Sequence, residues 1–427
     1  MADQPPLLLR AYGRLANLAA PLLFRRIRDR LLSHGVAPAR TRERLGHATA
    51  PRPAGTLVWF HGASVGETLS ALPLIDALRA QPAPPAILVT SGTASSAEIM
   101  AKRLPAGALH QFAPLDSAAA LRRFHAHWRP DLLVLIESEI WPRMIATAPC
   151  PVVLLNARLS ARALSRWHRL GASARWLLSR LALIVTQTPD TAESLRALGV
   201  PADRIRAGAN LKAAATPPAA DPATLAALQT TLGIRPRWLA ASTHSGEETL
   251  ILDAHKTLLQ TVPDLCLILA PRHPERADRI AGLIADAGLT STRRSAGEGP
   301  TAQVYLADTL GEMGLWYRLA PLTFVGGSFT PNGGHNPWEA APLGTALLTG
   351  PHLTNCADDW QMLADARGAY TGLRPDQLSH VLQDMLADPQ IGRDMADNAA
   401  ARVADQTDDI ARILADLNAL LPARDTG

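Results

Sequence analysis

Lysine is almost missing from this chain: Lys102, Lys212 and Lys256 are the only three in 427 residues, and arginine supplies the rest of the 42 basic side chains. Cysteine is as scarce. Cys150, Cys266 and Cys356 are far apart, odd in number and form no CxxC pair, which excludes a zinc ribbon and a disulfide framework and fits a reducing compartment. Long apolar runs are absent from the N-terminal segment, where the longest uncharged stretch, Leu15 to Phe24, is ten residues. A spanning helix needs about 20. No small-residue cleavage site follows that run, so a secretory signal is not expected either. What the chain does have is a 47% hydrophobic fraction, enough at this length for two buried cores. Disorder and collagen-like repeats are thereby excluded.

The net charge of +4 is unevenly spread. Residues 1–52 hold ten arginines against Asp3, Asp29 and Glu43, a net of +7, leaving −3 for everything after them. Such a local excess argues against a general nucleic-acid binder and for one contact with something anionic. Within it, Tyr12, Leu15, Leu18, Leu22 and Leu23 recur at helical spacing with arginines clustered behind them. That pattern suits a helix lying in the headgroup plane of a membrane. It equally suits an amphipathic helix packed on its own domain.

From residue 56 on, short apolar runs alternate with helical patterns: Thr56–Phe60, Ala86–Thr90, Leu132–Ile136, Val152–Leu155, Leu183–Thr186 and Arg204–Ala207, then Trp238–Ala241, Leu265–Ala270, Leu289–Thr292, Val304–Leu306, Leu322–Val325 and Ala346–Leu348. Strand–helix alternation of this kind predicts parallel sheets, hence two doubly wound α/β halves. The expected division is a basic amphipathic membrane-associating segment at 1–35, a first Rossmann-like domain at 36–212, a Pro/Ala-rich linker at 213–222, a second domain at 223–405, and a C-terminal helix at 406–427 that folds back on either half.

Ligands of doubly wound sheets bind beyond the carboxyl ends of the strands. His61-Gly-Ala-Ser64-Val-Gly66-Glu67 sits there, where Ser64 and Glu67 read either as a capping box or as a base held at a helix start. Glu137-Ser-Glu139 follows another strand, and strand alternation would put both carboxylates on one side. Asn156-Ala-Arg158 and Asn210-Leu-Lys212 end two further strands, Lys212 gaining weight from the rarity of lysine. In the second half, Ser242-Thr243-His244 with Gly246-Glu-Glu248 forms a possible phosphate cradle, and Arg272-His273 adds a cation beside it. Gly326-Gly327-Ser328 and Gly333-Gly334-His335-Asn336-Pro337-Trp-Glu339 suggest a helix start stripped of bulk for a phosphate ester, with Glu339 facing ribose hydroxyls. His61, His244, His273 and His335 show no metal-ligand spacing.

Taken in order, seven of these strings resemble the 3-deoxy-D-manno-octulosonic acid (Kdo) transferases of lipopolysaccharide assembly: Ser64–Glu67, Glu137–Pro142, Asn156–Ser160, Asn210–Lys212, Ser242–Glu248, Pro271–Arg276 and Gly333–Glu339. The resemblance implies a GT-B fold with two Rossmann-like domains facing a central cleft. It implies a CMP-Kdo donor bound mainly by the second half, a lipid A precursor (lipid IVA) as acceptor on the first, and an anionic membrane surface at the N-terminus, on the cytoplasmic face of the bacterial inner membrane. Glu67 matches the catalytic base of an inverting, metal-independent transfer without cofactor, with Glu137 and Glu139 as further catalytic groups. Ser64, Gly66, Asn156, Arg158, Lys212, Ser242, Thr243, His244, Arg272, His273, Gly333, Gly334, Asn336 and Glu339 are the implied binding residues. The chain departs from the family after Lys212, where Ala213 and Ala214 replace the usual aromatic residue and Asp. A nucleotide-sugar 2-epimerase, which shares two such halves, is the alternative, and a non-enzymatic sugar or nucleotide binder a third.

Overall fold

The computed structural model describes residues 4–159, 161–207, 211 and 217–422. The chain divides into two compact units, Met1–Lys212 with Asp408–Gly427, and Ala213–Thr407. Each is built on a seven-stranded parallel sheet.

In the first unit the strands are Leu57–His61 (β1), Ala86–Ser91 (β2), Ala108–Phe112 (β3), Leu132–Ile136 (β4), Val152–Ala157 (β5), Leu181–Thr186 (β6) and Ile205–Ala207 (β7), in the order β3-β2-β1-β4-β5-β6-β7. In the second they are Arg237–Thr243 (β8), Cys266–Pro271 (β9), Ser291–Arg293 (β10), Val304–Leu306 (β11), Leu322–Val325 (β12), Ala346–Thr349 (β13) and Ala369–Tyr370 (β14), in the order β10-β11-β9-β8-β12-β13-β14. Each of the twelve expected runs overlaps a strand, most of them within a residue, whereas Leu289–Thr292 runs two residues ahead of β10. β3 and β14 are additional: Ala108-Leu-His-Gln-Phe112 carries two polar side chains at a sheet edge and so lacks an apolar run, and β14 is two residues long.

Central strands are apolar throughout because both faces are covered. On β1, Leu57 and Trp59 pack with Phe124 and Trp128 on one face, whereas Val58 and Phe60 pack with Leu74 and Ile75 on the other. Ile413 and Leu417 join that second face from the last helix, which starts at Pro389, well before the expected 406, and runs to Leu420. The strands stay parallel, but the side on which successive strands are added reverses between β1 and β4 in the first unit and between β8 and β12 in the second. These are the switch points where crevices open.

The N-terminal helix spans Leu7–Ser33 and is docked on the first unit. Leu9, Ile27 and Leu31 face the core, while Leu7, Leu8, Leu15, Leu18 and Leu22 are exposed, Leu18 by 78%. Tyr12 departs from the expected outward stripe. Its hydroxyl donates to Asp116 Oδ2 at 2.7 Å, which turns the ring inward. Asp116 also accepts from the backbone N–H groups of Arg143 (3.0 Å) and Met144 (2.7 Å), and so caps the helix Pro142–Thr147. No helix among the described residues is long and apolar enough to cross a membrane.

Candidate active site

At the first switch point, the loops after β1 and β4 bring three carboxylates together. Ser64 caps the helix Val65–Ser70 by accepting from Glu67 N–H at 3.3 Å, and its hydroxyl donates to Glu67 Oε1 at 2.8 Å. Glu67 Oε2 accepts from the Ala63 N–H at 2.6 Å. Half of the expected capping box forms, since Glu67 reaches back to the Ala63 amide and the Ser64 hydroxyl rather than to the Ser64 amide, and these bonds fix the carboxylate rather than competing with a chemical role. Burial pushes the Glu67 carboxyl above the ordinary carboxylate value; the Ser64 hydroxyl and Ala63 amide oppose this, and the charges of Glu139 and Glu137 add to it.

Glu139 is held the other way. Burial would raise it, but His61 and the Trp141 indole keep its pKa below the usual range. The indole Nε1 donates to Oε2 at 2.5 Å, and His61 Nε2 stands 3.3 Å from the same oxygen, off the line of a good hydrogen bond. On its far side, His61 Nδ1 lies 3.0 Å from Thr90 Oγ1, which also accepts from Trp59 Nε1 at 2.8 Å. A chain Trp59–Thr90–His61 thus reaches from the core to Glu139. The expected strand alternation of Glu137 and Glu139 does not occur, because β4 ends at Ile136 and Glu137 adopts a left-handed backbone, φ 59°. That turn lets the loop bend back toward β1.

Asn156, fully buried at the end of β5, is also left-handed, φ 57°. Its Oδ1 accepts from Leu211 N–H at 3.3 Å, and its Nδ2 meets no acceptor among the described residues. Ser138 Oγ donates to Arg158 O at 2.7 Å, tying the β4 loop to the β5 loop and placing Arg158 next to it. Gly66 is exposed beside Glu67. Asn210 and Lys212 lie outside the described residues, as do Ser160 and the linker positions 213–216.

The second switch point is filled. Glu247, fully buried, accepts four backbone N–H groups: His244 (2.8 Å) and Gly327 (2.7 Å) on Oε2, Ser328 (2.9 Å) and Phe329 (2.8 Å) on Oε1. A Cβ at Gly326 would come 3.0 Å from Glu247 Oε2, so glycine is required for that clasp. Glu248 is likewise buried and takes a bidentate pair from Arg276 at 2.8 and 3.1 Å. The Thr243 hydroxyl donates to Glu248 Oε1 at 3.2 Å in the interior, so Thr243 belongs to the scaffold and not to the exposed cradle that sequence suggested.

Around this clasp lie Ser242, left-handed at φ 55°, and three imidazoles. His244 Nε2 is 2.9 Å from His335 Nε2, and the His244 ring meets His273 edge-on with centroids 5.6 Å apart. Two ring nitrogens at that distance share one proton, so the pair cannot be doubly charged. Burial, with His244, Arg272 and His273 nearby, lowers the His335 pKa to about 4. His244 is lowered by burial in the same way. Arg272 and His273 are exposed. No group of three His, Cys, Asp or Glu side chains among the described residues is placed to hold a metal ion.

The expected helix start at Asn336 is a correction. Pro337–Glu339 is a single 3₁₀ turn, in which Asn336 Oδ1 accepts from Trp338 N–H at 2.9 Å. Gly333 and Gly334 are needed for left-handed backbone, φ 90° and 75°, and for close packing, since a Cβ on Gly333 would stand 2.3 Å from Asn355 Nδ2. Glu339 is exposed on that turn.

The family described as 3-deoxy-D-manno-octulosonic-acid transferase (kdotransferase) matches residues 39–215. A probable mitochondrial 3-deoxy-D-manno-octulosonic acid transferase of Arabidopsis thaliana is 37% identical over 81% of this chain and 80% of its own length. The 3-deoxy-D-manno-octulosonic acid transferase of Haemophilus influenzae is 34% identical over 76% of this chain and 77% of its own. Among solved structures, a putative UDP-N-acetylglucosamine 2-epimerase from Listeria monocytogenes superposes with a TM-score of 0.58 at 15% identity, covering 86% of this chain and 96% of that one, which speaks to the two-domain GT-B fold alone. With identity above 30% across most of both sequences, the chain belongs to the 3-deoxy-D-manno-octulosonic acid transferase family of glycosyltransferases.

Proposed function

We propose that the chain transfers a Kdo residue from CMP-Kdo to a lipid A precursor, lipid IVA, at the cytoplasmic face of the inner membrane, with inversion and without a metal, Glu67 acting as general base. The observation that carries this reading is the Glu67 carboxyl itself. It is half-buried at the first switch point, fixed by Ser64 and Ala63, and raised in pKa by burial and neighbouring carboxylates, which makes it a better proton acceptor near neutral pH.

In this scheme Glu67 removes the proton of the attacking sugar hydroxyl as its oxygen bonds to the anomeric carbon, and the bond from that carbon to the CMP phosphate oxygen breaks. CMP leaves as an anion already stable at neutral pH, so little acid help is needed. Glu139, kept ionised by His61 and Trp141, holds the Glu67 pKa up and offers acceptor hydroxyls an oxygen. Glu137, Ser64, Gly66, Asn156 and Arg158 complete the acceptor side, with Asn156 Nδ2 the buried donor still to be satisfied.

On the donor side, Arg272 and the neutral His244–His335 pair receive the phosphate, whose arrival raises the affinity of both imidazoles for a proton. Ser242, His273, Gly333, Gly334, Asn336 and Glu339 frame the nucleotide; Lys212 is assigned to the same contact from sequence alone. The outward leucines of the N-terminal helix rest on the membrane, with arginines toward its phosphates. The test is mass spectrometry of the lipid made from CMP-Kdo and a tetra-acylated lipid A precursor. A mass gain of one or more Kdo units is expected. An unchanged lipid, or epimerisation of UDP-N-acetylglucosamine supplied alone, would overturn the assignment.

A further inference from the structure

His244 follows β8 directly, His335 lies on the loop after β12, and their Nε2 atoms are 2.9 Å apart. The ring planes differ by 17° with centroids 5.1 Å apart, so the two imidazoles are nearly coplanar and meet edge to edge. Gly327 lies against both. A Cβ there would stand 3.0 Å from His335 Cδ2 and 3.3 Å from His244 Cδ2, so glycine is what lets the loop after β12 pack on the joined rings.

A neutral imidazole carries one N–H. With one proton between the two Nε2 atoms, the ring that holds it has a bare Nδ1, and the other ring keeps its own proton on Nδ1. One further proton fits on the bare Nδ1 and leaves the shared bond intact. A second would set hydrogens on both Nε2 atoms across 2.9 Å. The pair therefore titrates as a single base with room for one extra proton. Arg272 and His273, from the loop after β9, disfavour a cation there, whereas Glu247 and Glu248, on the helix Glu247–Leu258, favour one. Both glutamates are already committed, Glu247 to four N–H groups and Glu248 to Arg276. Burial outweighs them and keeps both rings below the ordinary imidazole value.

Resting on the donor contact proposed above, we propose that this pair makes the donor site proton-coupled: it takes one proton from solvent as the phosphate arrives, carries it while the sugar–phosphate bond breaks, and returns it when the nucleotide leaves. An anion beside the rings offsets what burial and Arg272 impose. The phosphate of a nucleotide sugar is a diester with one negative charge, and the departing monophosphate has two. The electron pair of the broken bond stays on the phosphate oxygen and the acceptor hydroxyl proton goes to Glu67, so the proton on the imidazoles is not consumed. It compensates the charge that the phosphate gains. By linkage, affinity for the nucleotide rises as pH falls through the window between the free and the occupied pair, and product release becomes easier as pH rises.

The methyl ester of cytidine monophosphate keeps a single charge across the neutral range, so its own ionisation cannot imitate that of the protein. Calorimetric titration of the full chain with this ester, in two phosphate-free buffers of unequal ionisation enthalpy, counts the protons taken up per nucleotide bound. Uptake should approach one proton at about pH 6 and vanish at about pH 8.5, with affinity roughly tenfold higher at the lower pH. His244→Gln with His335→Gln should abolish the uptake and leave an affinity that does not change with pH. Should that variant fail to fold, the ring-nitrogen resonances of the unaltered protein give the same reading, with one Nδ1 gaining a proton as ester is added. Uptake that persists in the double variant would move the proton to His273 and overturn the inference. Uptake of two protons, uptake caused by cytidine without a phosphate, or binding without uptake would overturn it as well and leave the proposed function standing. An ester that binds at no pH would overturn the donor contact itself, and the inference with it.

Discussion

Glu67 and Glu247 occupy corresponding places in the two units. Each follows a glycine after the first strand of its sheet, in the first turn of a helix at the switch point. Glu247 is sealed by four N–H donors, and its charge is spent on holding the loop after β12. Glu67 receives two donors, remains half-buried and faces two further carboxylates. The same local signal thus yields a structural clasp in one unit and, in the other, the carboxylate proposed above as the base. What separates them is how many donors reach the oxygens and whether like charges stand near.

Exchanging carboxylate for amide at both positions should break the comparison most sharply. Glu67→Gln should lower the transfer rate by about a thousandfold while the thermal midpoint stays put; near-normal turnover would refute the base. Glu247→Gln should instead cost about 3 kcal/mol of stability in a urea titration, because an amide turns a donor toward N–H groups that need acceptors. A variant as stable as the parent would show the clasp to be dispensable. Leu15→Ser, Leu18→Ser and Leu22→Ser together should reduce activity on vesicle-embedded acceptor by roughly tenfold and leave detergent-dispersed acceptor unaffected. Equal loss on both would tie the stripe to folding.

The smallest effect is a shift in pH. Glu67 must be ionised to act, so transfer falls as pH drops through its raised pKa. Removing the negative charge of Glu139 in Glu139→Gln makes Glu67 easier to ionise, and the acid limb of the rate profile should move to lower pH by roughly half a unit. A limb that stays or moves upward would separate the two carboxylates.

Apolar runs made most strands readable, since strands buried on both faces have no polar option. β3 escaped because His110 and Gln111 serve a buried edge: His110 pairs with Ser91 and Arg40, a contact across about 70 residues that no local pattern records. That Glu137 and Glu139 come near Glu67 is legible from their place after a strand end, but His61 as neighbour of Glu139 is not, since it depends on β1 lying next to β4. Thr90 was hidden for the same reason, through β2. Gly333–Glu339 reads as a helix start and is a single 3₁₀ turn, because left-handed glycines packed on a neighbouring loop and glycines opening a helix look alike in sequence.

The bond from Tyr12 to Asp116 joins residues 104 positions apart. During synthesis the N-terminal helix therefore leaves the ribosome long before its docking partner exists, by about 5–20 s at ordinary elongation rates. Through that interval its leucines have no core to join. On the membrane contact proposed above, a bilayer close to the ribosome would be the first surface to receive the helix, and the remainder of the unit would assemble onto a segment already laid down.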